Sequence, residues 1–352
     1  MAELMSETIS AIGGLDQRSM TEARERQLQL TKPPGSLGRL EELAVQIAGI
    51  SGEARPSVSR RAVIVMAADN GVTEEGVSAY PAEVTAQMVA NFLAGGAAIN
   101  VLARAAGARV VVVDIGVRSD LAPHAELLSR KVRNGTANFR RGPAMSRAEA
   151  QRAIEVGIEV LTGEAARGLD LVATGEMGIG NTTAASALTA CLTGAAVADV
   201  TGRGTGIDDA ARVHKIATIE RAIETNKPDR SDPVEVLAKV GGLEIAGLAG
   251  VMIGAAARRI PVVLDGFIAG AAALVAVRFA PAVQPFLIAG HRSVEPGHDV
   301  VLNSLGLRPL LDLELRLGEG TGAVLAMQLI DAAVRIHGGM ATFGEAGVTD
   351  RS

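Results

Sequence analysis

The sequence predicts an α/β fold in which helices cover both faces of a parallel sheet, and three observations carry that expectation. Short, mostly apolar runs at residues 62–67, 109–116, 169–173, 260–264 and 286–289 have the unbroken character of strands buried on both faces. Segments with helical spacing of apolar residues, at 96–106, 146–161, 267–277 and 323–336, alternate with them. Aromatic residues make up only 2% of the chain, with no Trp and the single Tyr80, against 41 Gly. The core must therefore be built from Ala, Val, Leu and Ile, with helices lying close on the sheet.

Taken in order, residues 1–60 read as amphipathic helices, with Leu28, Leu30, Leu37, Leu40, Leu43, Ile47 and Ile50 spaced mostly for one face. Two prolines and two glycines in Thr31-Lys-Pro-Pro-Gly-Ser-Leu-Gly38 enforce a break, with Ser36 placed to cap the helix that follows. By composition alone the break is a hinge. The strand at 62–67 runs into Ala68-Asp-Asn-Gly-Val72 and then Gly76-Val-Ser-Ala-Tyr-Pro81, before a helix carrying Val84, Met88 and Phe92. Ligands bind where parallel strands end, so Asp69, Asn70, Ser78, Tyr80 and Gln87 are placed to line a site. A polar turn with Tyr80 packed at its edge is the plainer reading. Asp114 falls at the end of the second strand, and Ser146 with Glu149 forms a capping box for the next helix.

The most distinctive stretch is Thr174-Gly-Glu-Met-Gly-Ile-Gly-Asn-Thr-Thr183, a glycine-rich turn from strand to helix. Glycines 175, 178 and 180 are expected to adopt positive φ and to admit a ligand to the backbone, while Asn181, Thr182 and Thr183 add side-chain donors. A phosphate fits such a cradle, although a turn that merely needs glycine has the same pattern. Glu176 would repel phosphate unless it faces a ribose hydroxyl or a developing cation. A second glycine-rich loop spans residues 201–209, and Lys215 beyond it reads either as a solvated helix charge or as a partner for an anion held by the first loop. His291, Glu295 and His298 suggest a metal, but Pro296-Gly297 argues against a helix that would align them, and no further ligand is near in sequence, so no metal is expected. Glu319 stands among Gly318, Gly320 and Gly322, as a general base of raised pKa or as an exposed acid at a helix start.

With 352 residues, 34 Lys and Arg against 39 Asp and Glu, and no dense basic run, the chain does not read as a nucleic-acid binder. A mean hydropathy of +0.27 raises a membrane reading, for which residues 260–279 are the strongest stretch. Pro261, Asp265 and Gly266 interrupt it, so no membrane span is expected. The lone Cys191 and the Met-Ala-Glu-Leu start, without signal-peptide character, make a reducing cytoplasm the expectation.

The chain resembles one family through Lys32-Pro-Pro-Gly-Ser-Leu-Gly38, Ala68-Asp-Asn-Gly-Val72, Val77-Ser-Ala-Tyr-Pro81, Gly175-Glu-Met-Gly-Ile-Gly-Asn-Thr-Thr183, His291-Arg-Ser-Val-Glu-Pro-Gly-His298 and Leu317-Gly-Glu-Gly-Thr-Gly322. That family is the nicotinate-nucleotide:dimethylbenzimidazole phosphoribosyltransferases. One departure is Asn70, where the family leads one to expect His. The resemblance implies a Rossmann-like parallel sheet in a large domain of residues 61–304, a small helical domain from residues 1–60 and 305–352, a homodimer, and no cofactor. It implies transfer of 5-phosphoribosyl from nicotinate mononucleotide to 5,6-dimethylbenzimidazole, with Glu319 as the base. Glu176 would then lie near the ribose, Gly178, Gly180, Asn181, Thr182, Lys215 and Ser293 at the 5′-phosphate, and Ser78, Tyr80, Gln87 and Met88 around the flat base. A dinucleotide-dependent oxidoreductase would share the sheet, but the first strand is not followed by Gly-x-Gly-x-x-Gly with an acid about 20 residues on. A non-catalytic nucleotide- or base-binding protein is the other alternative.

Overall fold

The computed structural model describes residues 2–350. Six strands, β1 (Arg61–Ala68), β2 (Ala108–Gly116), β3 (Leu127–Ser129), β4 (Leu171–Met177), β5 (Val262–Leu264) and β6 (Leu287–Ala289), form one sheet in the order β3-β2-β1-β4-β5-β6. All neighbours are parallel. The chain moves outward from β1 to β3 and then returns to the other side of β1, so the order reverses between β1 and β4. In open α/β sheets that reversal opens a crevice at the carboxyl ends of the strands. A separate parallel pair, β7 (His291–Arg292) and β8 (Leu311–Asp312), follows β6.

The expected alternation of strand and helix is present, with shifted bounds. β4 starts two residues later than expected and runs on through Thr174, Gly175 and Glu176, so the head of the glycine-rich motif is strand rather than turn. The edge strand β3 and the helices Asp209–Asn226, Pro233–Val240 and Leu243–Ala257 have no counterpart among the sequence-based expectations. Ser146 and Glu149 do form the capping box of the helix Arg147–Ala166. Ser36 does not cap its helix, which is preceded by Gly38; the Glu41 carboxylate instead accepts the Leu37 amide at 3.0 Å and pairs with buried Lys32 at 2.8 Å.

Side chains alternate across the strands. Ala62, Ile64 and Met66 of β1 pack with the helices Arg147–Ala166 and Leu243–Ala257, while Val63, Val65 and Ala67 pack with Arg39–Ser51, Ala98–Ala106 and Thr321–Gly339. The helix Thr321–Gly339 runs on past the expected end at 336, through His337, Gly338 and Gly339. Arg26 explains the extension, because its guanidinium donates to the carbonyls of His337 (2.7 Å), Gly338 (3.1 Å) and Met340 (3.1 Å). Acceptors that would be orphaned at the helix end are thereby satisfied by the N-terminal segment. Residues 260–279, the expected membrane candidate, divide into β5 and the helix Phe267–Phe279. The stretch Val84–Ala106 is apolar and long enough to span a bilayer, but a turn at residues 94–97 splits it into helices of 10 and 9 residues.

Glycine sets the closest helix crossing. A Cβ on Gly157 would lie 1.9 Å from the Gly247 carbonyl oxygen, and one on Gly250 1.9 Å from that of Ile154. Gly157→Ala is therefore expected to destabilise the protein by roughly 1–3 kcal/mol through overpacking. Gly163→Ala, on the same helix with open space around it, should be neutral or stabilising by up to about 1 kcal/mol. Denaturant unfolding of the two variants checks the contrast; equal stabilities would refute it.

Candidate active site

A cleft of about 490 Å³ opens beyond the carboxyl ends of β4, β5 and β6, a volume suited to a small molecule. Residues 176–182 form one wall, 265–269 with His291, Ser293 and Glu295 another, and 316–319 a third. Tyr80, Val84 and Met88 give it an apolar side, and Gly204 and Thr205 close the remaining edge.

The first wall, the expected anion cradle, is built on the start of the helix Asn181–Thr193. Gly180 precedes it with φ of 88°, a left-handed geometry that suits glycine, and residues 178–182 at this helix start line the cleft. Gly175 and Gly178, expected to need positive φ, do not have it. They are glycine because neighbours come close: a Cβ would stand 2.4 Å from the Glu319 carbonyl oxygen at Gly175, and 2.5 Å from that of Ala68 at Gly178. Lys215 is buried, and its ammonium donates to Thr182 Oγ1 at 2.8 Å, so the solvated-charge reading fails. Desolvation lowers its pKa to about 8, against the favourable charge of Glu295. Glu295 accepts the Gly204 amide at 2.8 Å, and Arg316 donates to the Gly204 carbonyl at 3.1 Å, tying the second glycine-rich loop across the cleft.

Glu319 is 6% exposed and adopts φ of 63° between Gly318 at 83° and Gly320 at 96°. Three successive left-handed residues, one of them not glycine, require the surroundings to hold them. Asp265 does so. Its carboxylate accepts the amides of Gly320 (3.2 Å), Gly322 (2.8 Å) and Ala323 (3.1 Å) at the start of the helix Thr321–Gly339. The acid that meets this helix dipole is thus Asp265, and the reading of Glu319 as an exposed helix-start acid falls. Glu319 Oε2 instead accepts the Ile99 amide at 3.2 Å. Burial raises its pKa above the ordinary carboxylate range, the Ile99 amide opposes this, and the Asp265 charge reinforces it.

Glu176 lies beneath that loop, so closely that a Cβ on Gly318 would be 2.2 Å from Glu176 Oε1. Asn181 Nδ2 donates to its carboxylate. Burial first, and then the charges of Asp265, Glu244 and Glu319, raise its pKa to about 8 against that hydrogen bond. His291 Nε2 is 3.4 Å from Asp265 Oδ1; burial lowers its pKa, but the Asp265 carboxylate outweighs that and the net shift is upward. The partner missing from the local sequence thus comes from another strand. Pro296 begins the helix Pro296–Leu305, at the position where its ring is tolerated, contrary to its expected breaking role. His298 accepts the Ser293 amide at 2.9 Å, and burial together with His291 lowers its pKa to about 4. Among the described residues, no three His, Cys, Asp or Glu side chains converge as a metal-binding group.

A family model described as phosphoribosyltransferase matches residues 12–348. The chain belongs to this family. A nicotinate-nucleotide--dimethylbenzimidazole phosphoribosyltransferase of Chloroflexus aggregans is 64% identical over 348 residues, covering 99% of both chains. One from a Roseiflexus species is 63% identical with the same coverage. The crystal structure of CobT from Thermus thermophilus superposes with a TM-score of 0.92 at 52% identity, covering 95% of this chain and all of that one.

Within this family member, the fold gathers Glu176, Gly178, Gly180, Asn181, Thr182, Ser293, Tyr80, Met88 and Glu319 onto one cleft. Lys215 stands behind Thr182. Ser78 shares a hydrogen bond of 3.2 Å with Thr205 at the rim, and Gln87 is exposed outside the lining residues. Asp69 and Asn70 are buried and do not line the cleft. Sequence reasoning missed Asp265, Thr205, Arg316 and Glu244. The signal for Asp265 was present as an acid ending the run Val262-Val-Leu-Asp265, where it reads as an interruption of an apolar segment.

The raised pKa of Glu176 links it to stability. Its folded-state value lies above the unfolded one, so its contribution is full below about pH 4.5 and is lost as pH rises through about 8. Glu176→Gln should remove this portion, making the variant less pH-dependent and relatively more stable above pH 8. Parallel stability–pH curves for the two proteins would contradict the assignment.

Proposed function

We propose that this chain transfers the 5-phosphoribosyl group of nicotinate mononucleotide to 5,6-dimethylbenzimidazole, giving α-ribazole 5′-phosphate and nicotinate. The reading is carried by one observation: a buried carboxylate of raised pKa, Glu319, shares a single cleft with an amide, hydroxyl and lysine cradle for phosphate. The name its relatives carry supports the two substrates.

The chemistry follows from charge. Nicotinate bound to ribose through its ring nitrogen is a cationic leaving group, so the C1′–N bond breaks with both electrons returning to a ring that becomes neutral. A nitrogen of the benzimidazole forms the new bond at the opposite face of C1′, which inverts β to α. The N–H proton of the incoming ring passes to Glu319, whose raised pKa suits it to take that proton. Glu176 and Asp265, both lining the cleft, offset positive charge developing on the ribose. Gly178, Gly180, Asn181, Thr182, Lys215 and Ser293 hold the 5′-phosphate, and Tyr80 and Met88, with Ser78 at the rim, serve the flat base. No step requires a metal or a cofactor. A homodimer in the cytoplasm belongs to the same reading, in keeping with the lone, buried Cys191.

Chromatography of the products formed from nicotinate mononucleotide and dimethylbenzimidazole tests the activity directly. Glu319→Gln keeps shape but removes basicity, and should lower turnover by roughly 10²- to 10⁴-fold with dimethylbenzimidazole binding retained. Undiminished turnover in that variant would remove Glu319 from its role.

A further inference from the structure

Immediately behind the phosphate cradle lies a buried polar pair that the reaction above does not use. Asn70, at the end of β1, donates from Nδ2 to Glu244 Oε1 at 2.9 Å, and Glu244 sits in the first turn of the helix Leu243–Ala257. Both residues are at most 1% exposed. The two remaining polar atoms, Asn70 Oδ1 and Glu244 Oε2, are also buried, and neither has a hydrogen-bond partner. Both lie within 3 Å of a Cβ placed on Gly242, at 2.9 and 2.8 Å respectively. Two acceptor oxygens cannot satisfy each other, but a carboxylic acid and a primary amide can form a ring of two hydrogen bonds. One proton completes it.

We propose that Glu244 is protonated in the native protein and closes a cyclic acid–amide pair with Asn70, forming a neutral buttress that positions Gly178 in the anion cradle. In this arrangement Asn70 Nδ2–H donates to Glu244 Oε1, and Glu244 Oε2–H donates to Asn70 Oδ1, so every buried polar atom of the pair is satisfied. Contact with the cradle is direct, since a Cβ on Gly178 would be 3.0 Å from Asn70 Nδ2 and 3.2 Å from Glu244 Oε1. Neutrality matters here. An ionised Glu244 beneath Gly178 would oppose a phosphate and leave Asn70 Oδ1 and Glu244 Oε2 both without a donor. The charged groups that face it are Asp69 beside Asn70 and Glu176 on β4, both acids, and both disfavour a further negative charge. Burial first and Asp69 last raise the Glu244 pKa to about 7, against the Asn70 amide and Glu244's own backbone amide. Glu244 and Asn70 are positioning residues: they act on the ligand through Gly178.

The role assigned to the cradle rests on the proposed nucleotide site; the proton on Glu244 does not. Infrared difference spectra of ligand-free wild type and Glu244→Gln, recorded slightly below neutral pH, should show a protonated-carboxyl C=O stretch that the variant loses. A band unchanged by the substitution would overturn the proposal. In calorimetry with nicotinate mononucleotide, wild-type affinity should fall as pH rises through the Glu244 titration. Glu244→Gln, which keeps a ring of two amide hydrogen bonds, should retain affinity near neutrality without that titration. Asn70→Leu, which strands the acid, should weaken binding roughly tenfold or more, with folding checked by thermal unfolding. Identical pH dependences in wild type and Glu244→Gln would also refute the positioning role. If wild type fails to bind the nucleotide at any pH, the proposed function falls, and the infrared band alone decides the acid–amide pair.

Discussion

The carboxylate of Asp265 fixes the geometry on which the rest of the site depends. It collects three amides at the start of the helix Thr321–Gly339 and thereby anchors the loop that bears Glu319 to the end of β5. A helix start attracts an anion through its unpaired amides, and an anion from a different strand turns that attraction into a tertiary link. Because Asp265 occupies this position, Glu319 is free to face the cleft. Thr174 completes the link by accepting the Asp265 amide at 3.3 Å, which ties β4 to the same point.

Glycine makes the second half of the interlock. Gly175 admits the Glu319 carbonyl against β4, and Gly318 passes over Glu176 at a distance no side chain allows. The two acidic loops are therefore held against each other by shape while their charges repel. Burial pushes the pKa values of Glu176 and Glu319 at the cleft, and of Glu244 behind it, upward, and neighbouring acidic charge adds to the shift.

The sheet was legible because parallel strands buried on both faces leave continuous apolar runs, and five of the six main strands do so. β3 was not, since a three-residue edge strand has too little pattern to separate it from a loop. Glu319, Glu176 and the cradle were visible because glycines crowd around them in the sequence. Asp265, Arg316 and Glu244 were hidden for a common reason, as each acts on a partner far along the chain. Asp265 caps a helix more than fifty residues later, and Glu244 meets Asn70 across 174 residues. The conformation of Gly175 was misjudged because sequence reports that glycine is needed and not whether a torsion or a neighbour needs it. Arg26 shows the same limit, since a distant guanidinium carries the helix expected at 323–336 on through residue 339.

The scarcity of aromatic residues has an optical consequence. Tyr80, the single tyrosine in a chain without tryptophan, lines the cleft while remaining 55% exposed. All tyrosine emission of this protein therefore arises at the mouth of its own site. The unmodified chain thus carries a native fluorophore in the position where an engineered label would be placed, with no background from elsewhere in the fold.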